Sequence, residues 1–190
     1  MNVRNTPLVA QATVPSPLGS LLLAATAQGL AGCWFVDHRY HPGELDAPES
    51  PRNAFIAQAA RELDAYWQDA LTTRFQVALD LQGTPFQQAV WRELLGITPG
   101  ASTSYGALAR ELGRPLAVRA VGAAVGRNPL SIIIPCHRAL GHDGALTGYA
   151  GGLPRKIELL RREGRAAANT APQRSARITP AIDAREALIA

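Results

Sequence analysis

At 190 residues, 47% of them hydrophobic and 18% charged, the chain is long enough for one large domain or two small ones with a proper core. It has no apolar run near the ~18 residues of a membrane span, and "MNVRNTPLVAQATVPSPLG" has no charged-then-apolar leader pattern. Its two cysteines, Cys33 and Cys136, are too few and too distant for a disulfide framework, which points to a reducing, cytoplasmic setting where a thiol stays a thiol. The net charge of +4 is unevenly spread. Residues 1–80 hold five Arg against eight acids, a net −3, whereas residues 81–164 hold nine Arg and Lys156 against five acids, a net +5. The second segment therefore suits an anionic partner, although modest surpluses also occur on surfaces that bind nothing.

In chain order, "LVAQATV" (8–14), "SLLLAAT" (20–26) and "GLAGCWFV" (29–36) are short strand patterns separated by the turn signal "PSPLG" and a further Gly. They predict an antiparallel meander. "HRYHPGELDAPESP" is polar, Pro-rich and loop-like. Ile56, Ala60, Leu63 and Trp67 recur at helical spacing and place an amphipathic helix over 51–69, while "RFQVAL" (74–79) reads as one more strand. The texture changes near residue 82. Thr84, Pro85 and Gln87 combine an N-cap, a proline at the first helical position and a capping-box partner. Phe86, Val90, Leu94 and Ile97 then give that helix its apolar face. A second helix is expected over 103–112 with Gly113 as its stop, and a third from Pro115 to about Val125. Two short helices joined by "GRP" match the helix-turn-helix signature, a shape that many helical pairs share without touching DNA. The run Ile132–Ile134 reads as an apolar strand leading to Cys136, and a last helix spans about 154–163, ending at Gly164. The Ala- and Pro-rich residues 165–190 read as a low-complexity, disordered tail.

The residues that carry chemistry lie in ordered blocks: "TSYGALA" at 103–109, "RAVGAAVGRNP" at 119–129, "IPCHR" at 134–138, "GYAGG" at 148–152 and "REG" at 162–164. In order and spacing they resemble the O6-alkylguanine-DNA alkyltransferases, also called methylated-DNA–protein-cysteine methyltransferases. "SPLGSLLLAATAQGLAGCWF" is similar to that family's N-terminal domain as well. The resemblance implies an α+β chain of two domains: a small ribonuclease H-like α/β domain over 1–80, and a mainly helical, winged helix-turn-helix-like domain over 82–164. It also implies a monomer that acts on double-stranded DNA carrying alkylated bases, with no cofactor, no metal and no membrane partner. On DNA it would sit at the nucleoid.

Alkyl transfer from guanine O6 is a displacement at saturated carbon, for which a soft thiolate is suited. A free thiol has a pKa near ~8.5, so a base and an orienting partner are needed. Successive side chains of extended backbone point to opposite faces, so His137 reaches Cys136 more easily through a water than directly. The resemblance implies the relay Cys136, water, His137, Glu163, with Asn128 tying the recognition helix to the active-site loop. It further implies that Tyr105 assists departure of the base and that Arg119 fills the gap left by a flipped nucleotide. Ala117, Ala120, Gly122, Ala123 and Ala124 would let this helix enter the minor groove, with Arg114 beside them. Ile134 and the backbone of Tyr149, Ala150, Gly151 and Gly152 would line the base site. Ala150 stands where some relatives carry Ser, which removes a hydroxyl but leaves the backbone donor. The product is a thioether that nothing in the chain can reverse, so the protein is expected to act once, on O6-alkylguanine, with O4-alkylthymine left open as a second lesion.

Plainer readings compete at several positions. Cys33 reads as a small buried hydrophobe. Tyr105 could be a core aromatic, and Arg114, Arg127 and Arg138 solvated charges or local ion pairs. Glu163 could cap a helix, although a C-terminus prefers cations. His38 and His41 with Cys33 are too loosely spaced, and one ligand short, for a metal site. Two other functions remain open on residues alone: a cysteine hydrolase, which leaves the basic helical pair without a purpose, and a non-catalytic helix-turn-helix lesion sensor, which has no need of the thiol. A cysteine-rich zinc domain cannot be built from two cysteines.

Overall fold

The computed structural model describes residues 6–165; most of the tail, from 166 on, lies outside the described residues. Three strands, β1 (Leu8–Val14), β2 (Leu21–Thr26) and β3 (Leu30–Phe35), pair antiparallel in the order β1-β2-β3, as the turn spacing predicts. The two-residue period of the strands divides their side chains. Leu21, Leu23, Cys33 and Phe35 face the main core, while Leu22, Ala24 and Trp34 form a small cluster on the other face, with Leu8 and Leu45 against it. Gly32 is required there, because a Cβ would lie 1.9 Å from two ring carbons of Trp34.

Helix α1 (Ala54–Gln68) starts at Asn53, whose side chain accepts from the N–H groups of Phe55 and Ile56. Its buried face is Ile56, Ala59, Leu63 and Tyr66, rotated from the expected set. Trp67 and Ala60 are only partly buried. Both sets satisfy the i, i+3, i+4 rule, so periodicity alone did not choose between them. The strand expected over 74–79 is absent. Only Leu79 bridges Leu30, through Leu30 N donating to Ala78 O (2.8 Å) and Asp80 N donating to Leu30 O (3.0 Å). β3 shares this edge with another segment, as described below, so the ladder cannot lengthen.

In the second half, α2 (Pro85–Leu95) has the capping box read from Thr84 and Gln87. It buries Val90, Leu94 and Trp91, whose indole N–H donates to Ala124 O at 2.9 Å. Helices α3 (Tyr105–Glu111) and α4 (Val118–Gly126) form the helix-turn-helix. Thr103 and Ser104, expected to be helical, form β4 instead and pair parallel with β5 (Ala139–Leu140). Ser104 then caps α3 by accepting from Ala107 N. Pro115 does not open α4; it lies in the preceding turn, where Ala117 N donates to Arg114 O. The Ile132–Ile134 run is a turn, with Ile132 at φ 73°, and not a strand. Residues 129–131 instead grip β3: Cys33 N donates to Pro129 O and Ser131 N to Cys33 O, both at 2.8 Å. Last comes α5 (Leu153–Arg162), entered through Gly152 at φ 90°. One hydrophobic core runs without a break from Leu23 and Leu63 to Val90, Ile134 and Leu159, so the meander and the helices stabilise each other.

Candidate active site

Cys136 opens a 3-10 turn, Cys136–Arg138, at the point where the loop after α4 meets β5. Asn128 shapes that loop. Its Oδ1 accepts from Leu130 N (3.0 Å), and its Nδ2 faces Leu130 O (3.2 Å), Ile134 O (2.9 Å) and the Cys136 sulfur (3.1 Å). A side chain that satisfies the local backbone in this way outcompetes extended pairing, which accounts for the missing isoleucine strand. It also leaves an amide donor on the sulfur. Burial pushes the Cys136 thiol up, while the Asn128 donor and the Lys156 charge pull against it.

His137 is fully buried, and its Nε2 lies 2.8 Å from Glu163 Oε1. With a carboxylate as partner the hydrogen belongs on Nε2, so Nδ1 presents a lone pair. Nδ1 is buried and has no hydrogen-bond partner among the described residues. Burial lowers the basicity of this ring, and Glu163 works in the opposite direction. Glu163, also fully buried, gathers four donors. Oε1 receives Tyr66 Oη, His137 Nε2 and Arg138 Nη2, each at 2.8 Å, and Oε2 receives Arg138 Nε at 2.8 Å. Burial alone would raise this carboxyl, but His137 and Arg138 bring it from 4.5 down to about 2. Arg138 also donates to Ile97 O. It is therefore a buried structural ion pair, which resolves its reading from sequence. Glu163 follows the last turn of α5, and its unfavourable sign at a helix C-terminus is offset by the Arg138 fork.

Two buried groups in this site were not singled out from sequence. Lys156 donates to Ala139 O (2.7 Å) and Thr147 O (2.9 Å), joining β5 to the glycine-rich loop; burial lowers its pKa from 10.5 to about 8. Its position within "GGLPRK" on the same apolar face as Leu159 and Leu160 was the available signal. Tyr66 is the other, and the choice of helix face hid it.

Tyr105 begins α3, half-buried, and burial raises its phenol while the Thr147 side chain opposes the shift. Arg119 and Ala120 are exposed on α4, Ala117 is half-buried at its start, and Gly122 approaches the Tyr105 ring. Arg114 is exposed in the preceding turn, with its guanidinium 5.4 Å from the centre of the Phe86 ring. Ile134 is fully buried, and its carbonyl accepts from both Cys136 N and Asn128 Nδ2.

Within the loop 149–152, Tyr149 and Ala150 are half-buried. Ala150 O accepts from Arg39 N (2.8 Å), and Gly151 O accepts from Arg155 Nη1 (2.9 Å). A Cβ on Gly151 would lie 2.8 Å from the Tyr149 ring and 3.1 Å from Phe35. One expectation needs correcting: the Gly152 N–H is already spent on Tyr149 O (2.9 Å), so the loop's free donors lie earlier. Nδ1 of His38 and of His41 accepts from the backbone N–H two residues on, so both rings stabilise turns.

The C-terminal part, residues 85–165, matches the family model described as "6-O-methylguanine DNA methyltransferase, DNA binding domain", and residues 9–81 match that family's "ribonuclease-like domain". The chain is 46% identical over 151 residues to a methylated-DNA–protein-cysteine methyltransferase of Mycobacterium leprae, a match covering 80% of this chain and 90% of the relative. It is 42% identical to the protein of the same name from Methanosarcina acetivorans, covering 78% of this chain and 94% of the other. Among solved structures, Mycobacterium tuberculosis OGT in complex with DNA superimposes with a TM-score of 0.76 at 43% identity, covering 82% of this chain and 93% of that one.

Proposed function

The chain belongs to the methylated-DNA–protein-cysteine methyltransferase family, and we propose that Cys136 is the residue that takes the alkyl group. The activity is DNA repair by direct reversal: the protein binds damaged DNA and transfers an alkyl group from O6 of guanine to its own cysteine. The observation that carries the assignment to Cys136 is its setting. An amide donor lies 3.1 Å from the sulfur, and next in sequence is a buried imidazole whose Nε2–H is held by a carboxylate.

The steps follow from that setting. A water molecule passes the thiol proton to His137 Nδ1, leaving the ring cationic against Glu163. The thiolate attacks the alkyl carbon; the S–C bond forms as the C–O bond breaks, and the electron pair leaves with guanine O6. Tyr105 donates a hydrogen bond to the departing base. Arg119 enters the base stack from the exposed face of α4 while the lesion is turned out, and the alanine- and glycine-rich surface around it lets the helix approach the minor groove. Arg114 and Ala120 lie along that approach. The thioether is stable, so each molecule reacts once. A lesion sensor is not favoured, because sensing gives no use to a thiol equipped with a buried His–Glu pair.

Peptide mass spectrometry after incubation with duplex DNA carrying one O6-methylguanine tests the reading. One methyl on the Cys136 peptide per methyl lost from DNA is the expected result. Tight binding without transfer would refute it.

A further inference from the structure

Tyr66 takes no part in the steps above, yet it reaches the centre of the relay. It comes from α1, on the N-terminal side of the molecule, and is 1% exposed. Its hydroxyl donates to Glu163 Oε1 at 2.8 Å across 97 positions of sequence. That oxygen is the one that holds His137 Nε2. Three donors thus converge on one carboxylate oxygen with two lone pairs, and each weakens the hold of the others. A purely structural tyrosine at this depth would need any acceptor for its hydroxyl, and backbone carbonyls are far commoner partners than the one oxygen that orients a base.

Building on the alkyl-transfer reading, we propose that Tyr66 is a positioning residue for the reaction, supplied by the N-terminal domain: by donating to Glu163 Oε1, its hydroxyl limits how strongly that carboxylate draws on His137 Nε2–H and so tunes the ring that accepts the thiol proton. Removing the hydroxyl frees Oε1 to bind Nε2–H more tightly. A tighter hold favours imidazolium, and a ring already protonated cannot take the thiol proton. The other charged or titratable groups around this pair are Arg138 and Cys136 on the 3-10 turn, Lys156 and Arg162 on α5, and Tyr149 on the glycine-rich loop. None of them is altered by Tyr66→Phe, which also keeps the ring against Trp67 (5.2 Å between centroids) and Phe75 (5.9 Å).

The test is Tyr66→Phe in the full chain, read in two ways. NMR titration of His137 in the free protein needs no DNA, so it stands or falls apart from the transfer reaction itself. The expected result is a protonation midpoint raised by about one pH unit, the scale of one charge-assisted hydrogen bond, with His38, His41 and His142 unmoved. Methyl transfer from O6-methylguanine duplex should then slow more at pH 6 than at pH 8. In Glu163→Gln, where the carboxylate charge is gone, adding Tyr66→Phe should move the midpoint no further. An unmoved His137 midpoint, or transfer slowed by the same factor at every pH, overturns the proposal and leaves Tyr66 a packing residue.

Discussion

The two cysteines are both buried, close to one backbone junction, and have opposite fates. Cys33 sits in β3 with apolar neighbours, and burial drives its thiol far up; no hydrogen bond from the described residues offsets the shift. Cys136 is 6% exposed and burial pushes its thiol up too, but an amide donor, a lysine charge and a histidine lie around it. The two are physically joined, since the Cys33 backbone holds residues 129 and 131 of the loop that carries Cys136. Burial by itself silences a thiol; what makes one a nucleophile is the polar shell that burial also protects from water. The meander thus supplies a rigid edge against which the reactive loop is set.

The sharpest break in this comparison is Cys136→Ala, which should abolish methyl transfer while leaving duplex binding intact, measured by counting methyl groups on protein and DNA. Acid stability comes next. The Glu163 carboxyl is held at about 2 against an ordinary 4.5, so the stability it contributes is complete above 4.5 and is lost as pH falls toward 2. Circular dichroism should show the native protein unfolding through that window, and Glu163→Gln should flatten the dependence there. Asn128→Ala should destabilise by about 2 kcal/mol, because it strands the buried Leu130 N–H and removes one of the two donors from each of the Leu130 and Ile134 carbonyls. It should also slow transfer about tenfold or more by taking the donor from the sulfur; urea unfolding and single-turnover rates check the two parts separately. Cys33→Ala should have the smallest effect, on the order of 1 kcal/mol of stability from a small cavity. Its transfer rate should be unchanged, and a slowed rate would mean that the β3 edge tunes the site as well as supporting it.

Two of the misses, the expected strands, meet at one sheet edge. Residues 74–79 and 132–134 have strand-like composition, but β3 offers one free edge, and that edge is divided between Leu79 and Leu130. Neither segment could know this, because the competition exists only after folding. Thr103–Ser104 left its helix for a parallel pairing with residues 139–140, and α4 begins at Val118 with no side-chain cap where Pro115 suggested an earlier start. The face of α1 was ambiguous by one residue, and that residue decides whether Trp67 or Tyr66 meets Glu163.

Local chemistry was legible in the chain itself. Period-two strands, the Thr84–Gln87 capping box, the glycine stops and the ordered blocks around Cys136 each act over a few residues, where neighbours in sequence are neighbours in space. Only the tertiary structure decided which charges meet. Arg138 became a buried fork on Glu163, Lys156 a tie between two backbone carbonyls, and Tyr66 a third donor to one oxygen. From Arg138 to Glu163, Lys156 to Ala139 and Tyr66 to Glu163 the separations are 25, 17 and 97 positions, and hydrogen bonds of such range are set by the packing of helices and sheet, which no local pattern encodes.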